Sequence, residues 1–111
     1  MTTQFRFASP LWAHHGSGGW HFVTLPTAVA DELRDVFPPV GPGFGSIRVT
    51  VTVGASTWDT SVFPDKKSGS FLLPVKQDIR RTNKLVAGDT VQVLLRAQKP
   101  AQADGVAGSR A

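Results

Sequence analysis

The side chains of this 111-residue sequence that could do chemistry are three histidines, one unusual aspartate and an uneven set of cations. His14 and His15 are adjacent in the glycine-rich run AHHGSGG. A zinc site needs three or four convergent ligands, and here there is no cysteine and no carboxylate at ligand-like spacing, so no metal is expected. His21 follows Trp20 in the run WHFVTL. Its imidazole could act as a general base, but a lone histidine on a strand is expected to be packed or half-exposed. Asp59 lies beside Trp58 in WDTSVF, where its residue type is out of place, because aspartate is depleted in strands. A structural pairing across to Arg48 or Lys76 is the expected role. Trp12, Trp20 and Trp58 could line a ligand groove, although in a small core large rings are needed to fill volume. The candidate groove set is therefore Trp20, Trp58, His21 and Asp59.

Two glycine-rich segments resemble phosphate loops only superficially. Gly16-Ser17-Gly18-Gly19 leads into a strand and so lacks the helix N-terminus whose aligned N–H groups hold an anion. Gly41, Gly43 and Gly45 also precede a strand and have no phosphate-binding lysine. Both segments read as connections. No paired carboxylates stand out: Asp31, Glu32 and Asp35 are expected to offset the dipole near the start of a helix, and Asp89 to fix the turn after Gly88.

The cations are unevenly placed. Residues 1–63 hold 3 basic and 4 acidic side chains, whereas 64–99 hold 8 basic and 3 acidic. Lys76, Arg80, Arg81 and Lys84 fall on one short helix and its exit, with Lys66 and Lys67 in the preceding loop, and together they form the candidate binding face. A solvated basic face is the simpler reading. A nucleic-acid reader would add exposed aromatic groups to such a face.

Elements must position these residues, and the patterning defines them. Phe5 and Phe7 alternate with polar neighbours up to Ser9-Pro10, which predicts a strand with an edge bulge or break; Leu11-Trp12 follows. Residues 20–25 form the second arm of a hairpin. After Pro26, Val29, Leu33 and Phe37 share one stripe and predict a short helix. The proline- and glycine-rich segment 38–45 predicts an irregular connection. Ile47, Val49, Val51 and Val53 alternate with polar residues in the clearest strand of the chain. In the next strand Trp58, Thr60 and Val62 face one way and Asp59, Ser61 and Phe63 the other. A short strand, 70–73, leads through Pro74 to a helix carrying Val75 and Ile79, with Asn83 expected in the left-handed conformation that ends it. Gly88-Asp89 turns into a closing strand with Val91, Val93 and Leu95. The domain is expected over 1–97, with a disordered tail over 98–111.

The two halves echo each other: Phe22-Val-Thr-Leu-Pro26, helix, Gly45, strand, against Phe71-Leu-Leu-Pro74, helix, Gly88-Asp89, strand. Two such units, each with one apolar face, predict a mainly β fold, a small closed double-split barrel capped by two short helices and pseudo-duplicated within one chain. The stretch Leu73-Pro74-Val-Lys-Gln-Asp-Ile79, with Leu85-Val-Ala-Gly88-Asp89-Thr-Val91, resembles the signature of the AbrB and MazE swapped-hairpin barrels. Trp20-His-Phe22, Leu25-Pro26, Gly45-Ser-Ile47-Arg-Val49 and Trp58-Asp-Thr-Ser61 resemble more closely a bacterial domain family of unknown function, numbered nineteen-oh-five. That resemblance covers roughly residues 3–97. It implies the barrel and brings no catalytic residues.

Composition sets the remaining bounds. Hydrophobic residues make up 41% and charged residues 18%, as in a chain that folds unaided. The absence of cysteine excludes disulfides and thiolate chemistry and fits a reducing cytoplasm. The sequence has no recognisable export signal or apolar run long enough for a membrane span. These observations support a cytoplasmic, cofactor-free and non-enzymatic barrel module that binds a partner protein or small ligand. A basic nucleic-acid-binding barrel is the alternative, and an enzyme of undefined class the second alternative.

Overall fold

In the computed structural model, residues 2–16, 19–37 and 45–98 are described. Strands β1 (Thr2–Ala13) and β2 (His21–Thr24) precede helix α1 (Thr27–Val36) and strand β3 (Ile47–Val53). Strands β4 (Ser56–Asp65) and β5 (Ser70–Pro74), helix α2 (Gln77–Thr82) and strand β6 (Thr90–Gln98) repeat that order. The strands close in the order β1-β2-β5-β4-β3-β6, with β6 returning to β1. Every recorded pairing is antiparallel. Exchanging β1 with β4, β2 with β5 and β3 with β6 leaves every neighbour relation unchanged, so the barrel has an internal pseudo-two-fold built from one chain. Among the described residues every strand pairs with two neighbours, so closure limits the sheet edge offered to another chain.

The alternating residues decide which face is core. Leu11, Val23, Val51, Val62, Leu73, Val91 and Leu95 are almost completely buried inside the barrel. At about 25 cal/mol per Å² of apolar surface removed from water, this interior is the main source of stability. Helix α1 covers part of it with Val29, Ala30 and Leu33, with Phe37 packed on the margin. Arg34 docks the same helix. Its guanidinium lies over the Phe71 ring, 5.4 Å from the centroid, and donates to the Gly69 carbonyl and to Asp31. Neither helix is long and apolar enough to cross a membrane.

Three local expectations need correcting. Ser9-Pro10 does not break β1: residues 2–10 pair with β6 and residues 11–13 with β2, so the proline sits where the strand changes partners. Here the Leu11 N–H donates to the Asp89 carbonyl and the Gly88 N–H to the Leu11 carbonyl, which binds the Gly88-Asp89 turn to β1. The first turn of α1 holds no acidic residue; Asp31 lies further along and pairs with Arg34 at 3.1 Å. The left-handed residue after α2 is Lys84 at φ 55°, and not Asn83, whose φ is −101°. Strand β6 runs to Gln98. Ser17-Gly18 of the first glycine loop, the connection 38–44 and the tail 99–111 lie outside the described residues.

Candidate functional site

The feature that departs from ordinary barrel design is on the outside. A solvent-facing antiparallel sheet normally alternates apolar inside with polar outside. Across β1, β2, β5 and β4 the outward positions are instead Trp12, Phe22, Leu72 and Phe63. Their registers link them directly: Trp12 opposes Phe22, and Phe63 opposes Leu72, which in turn opposes Thr24 of β2. The Trp12 indole N–H donates to Thr24 Oγ1 at 2.9 Å and is thereby fixed against the sheet. The Trp12 and Phe22 rings are tilted at 40° with centroids 5.2 Å apart. Phe63 remains 47% exposed and Trp20 55% exposed.

Two hairpin connections raise walls around this apolar floor. The β1–β2 connection supplies His14, His15 and Trp20, and the β4–β5 connection supplies Lys67 and Ser68. The result is an open groove of about 990 Å³. At one rim the Asp65 carboxylate accepts both the backbone N–H and the hydroxyl of Ser68. The Ser68 hydroxyl bond is the main reason that its pKa is lowered, and slight desolvation opposes it. These two bonds fix the turn.

A second hollow of about 420 Å³ adjoins the first, and Trp20 belongs to both. Its other lining includes His21, Lys76, Gln77 and Arg80, and no carboxylate or hydroxyl stands among its described lining residues. His21 Nδ1–H donates to the Gly19 carbonyl at 2.8 Å, which orients the ring. Arg80 Nε–H donates to the Val75 carbonyl at 3.2 Å, holding the guanidinium stem beside the hollow.

The residues singled out from the sequence are thus divided. Trp20, His21, Lys76 and Arg80 come together, and Lys67 lies in the adjoining groove. Arg81, Lys84 and Lys66 are exposed outside both hollows. Trp58 packs against the barrel core. Asp59 lies in a separate depression on the outer face of β3, β4 and β6 with Arg48, Thr50 and Arg96. Its carboxylate accepts the Thr50 hydroxyl at 2.7 Å, so the cross-strand partner is a threonine, where Arg48 or Lys76 was expected. Among the described residues no cluster of three metal-ligating side chains occurs. The floor residues Phe22, Phe63 and Leu72 were absent from the sequence-derived set. Their signal was Phe63 on the polar face of its strand and the unbroken apolar run Phe71-Leu72-Leu73.

Barrel, repeat and outer groove define a class: a closed six-stranded β-barrel domain assembled from two strand–strand–helix–strand units. A family model described as Domain of unknown function (DUF1905) matches residues 7–95, and the chain belongs to that family. Comparison with curated proteins finds no match.

Proposed function

We propose that this domain is a non-enzymatic binding module and that its site is the outer groove on β1, β2, β5 and β4, taking a small ligand with a flat apolar body. The observation that carries this reading is the outward-facing row Trp12, Phe22, Leu72 and Phe63, flanked by walls from two hairpin connections. Such a row leaves apolar surface in water for little return in folding stability, and a ligand that covers it accounts for the pattern. The groove's volume lies within the roughly 300–1,000 Å³ common for small-molecule sites, and its aromatic lining suits ring stacking. A binding role also fits the surroundings of His21, where the other polar side chains among the described lining residues are Lys76, Gln77 and Arg80. The two-unit construction supports kinship with AbrB- and MazE-like barrels, in which two chains supply the two halves.

The test is binding of the neutral fluorophore N-phenyl-1-naphthylamine. The folded domain should enhance its fluorescence saturably, and Phe63→Ser and Leu72→Ser should each weaken binding about tenfold while the thermal transition is retained. Unchanged binding by both folded variants would contradict the reading.

A further inference from the structure

The second hollow has a chemistry that the apolar groove does not explain. Lys76, the residue before α2, accepts the Arg80 N–H on its carbonyl at 3.0 Å, so the two residues stand one turn apart. Both line the 420 Å³ hollow, and no acidic residue is among its described lining residues. Asp78, the acidic residue of α2, is outside it. The two cations therefore leave an uncompensated positive charge immediately beside an apolar groove, and Trp20 is common to both.

The Trp20 indole makes this a composite site. It lies almost parallel to the Phe22 ring, with 6° between the planes and centroids 6.0 Å apart. Phe22 backs one face of Trp20, while the residue as a whole remains 55% exposed. An exposed, backed indole offers a stacking surface, and the adjacent cations offer charge-assisted hydrogen bonds.

Taking the groove reading as its base, we infer that the ligand is a ring-containing organic anion, with its apolar body in the groove and its anionic group between Lys76 and Arg80. Charge complementarity sets the orientation: the hollow with Lys76 and Arg80 holds no carboxylate, whereas at the far rim Asp65 sits beside Lys67 and offsets it. The anion therefore belongs at the α2 end. This asymmetry favours a ligand with one anionic end over a single-stranded nucleic acid, whose repeated phosphates need cations along the whole track.

Two fluorophores with the same rings separate the anion from the apolar body. 8-Anilinonaphthalene-1-sulfonate carries one sulfonate, and N-phenyl-1-naphthylamine carries none. The sulfonate should bind about tenfold more tightly to the folded domain, the difference shrinking at high salt. Lys76→Gln and Arg80→Gln should each erase most of that preference while leaving the neutral probe's affinity unchanged. Lys76 is exposed, so its variant separates charge from the bond that Arg80 makes to Val75. Equal affinity for the two probes, or a sulfonate preference untouched in both variants, would overturn the inference and leave the groove reading intact. Failure of both probes to bind the folded protein would remove the groove reading as well. Displacement of the sulfonate by a short oligothymidylate, at lower concentration than by thymidine monophosphate, would also overturn the inference, in favour of nucleic acid.

Discussion

Trp20 and Phe22, two residues apart on the approach to and start of β2, stack with their rings 6° from parallel, although Trp20 stays largely in water. The stack lies outside the barrel core, so losing the indole removes little buried area. Trp20→Ala should lower folding stability by only about 0.5–1.5 kcal/mol in a urea titration. The same variant should weaken naphthylamine binding at least about tenfold. A large stability loss without a binding effect would make Trp20 structural.

Leu72 and Leu73 are sequence neighbours with opposite fates. Leu73 is fully buried in the barrel, whereas Leu72 lies on the outer floor between Thr24 and Phe63. Leu73→Ala should cost about 2–5 kcal/mol, the range for a large-to-small change in a packed interior. Leu72→Ala should cost about 1 kcal/mol, because part of its surface is already in water. Chemical denaturation of the two variants checks the inside–outside assignment directly.

How far the sequence carried this assignment depends on the element. Period-two alternation in 47–53 gave a strand whose four aliphatic residues are all buried. The Leu-Pro-helix repeat gave the barrel and its internal symmetry. Alternation says which residues share a face, but it does not say which faces become neighbours when a strand changes partners. Pro10 therefore looked like a break. For the same reason Trp58 and Trp20 looked equivalent, although one points toward the core and the other out. Phe63 could have been recognised, because an aromatic residue on the polar side of an alternating strand is an outward apolar residue. The meeting of Trp20 with Lys76 and Arg80 depends on the long-range pairing of β2 with β5, which no local pattern encodes.

The turn between β3 and β4 is held by a residue nearly thirty positions away. Asn83, at the end of α2, accepts the Ala55 N–H with Oδ1 and donates from Nδ2 to the Ser56 hydroxyl and the Ile79 carbonyl. Gly54 has φ +56°, and a Cβ placed there would collide with Asn83 Oδ1. Gly54→Ala should therefore lose about 2–4 kcal/mol, from the left-handed backbone together with displacement of the asparagine. Gly69 also has positive φ, but a Cβ there meets nothing within 4 Å. Gly69→Ala should cost only the backbone part, about 1–2 kcal/mol. Thermal denaturation of the pair separates the two contributions.

Asp65 gives a pH dependence of defined sign. Its folded pKa is lowered chiefly by the Ser68 hydroxyl, with the backbone N–H groups of Ser68 and Lys67 and the Lys67 charge acting in the same direction. A depressed folded pKa stabilises the fold above the carboxylate's unfolded value, and that contribution disappears as pH falls through the folded value. Its size is small because the group is exposed. Ser68→Ala should move the Asp65 carboxyl titration, followed by NMR, upward toward the ordinary aspartate value. Asp65→Asn should make stability below about pH 4 less dependent on pH.

The most direct test of the outer groove as the ligand site uses the three tryptophans as reporters. Their indole N–H resonances should be followed by NMR while the folded domain is titrated with 8-anilinonaphthalene-1-sulfonate. Trp12 and Trp20 line the groove and Trp58 packs on the core. The Trp20 and Trp12 signals should shift saturably with one shared dissociation constant, and the Trp58 signal should stay in place. A saturable shift of Trp58 alone, or saturable binding that moves neither Trp12 nor Trp20, would contradict the assignment of the groove.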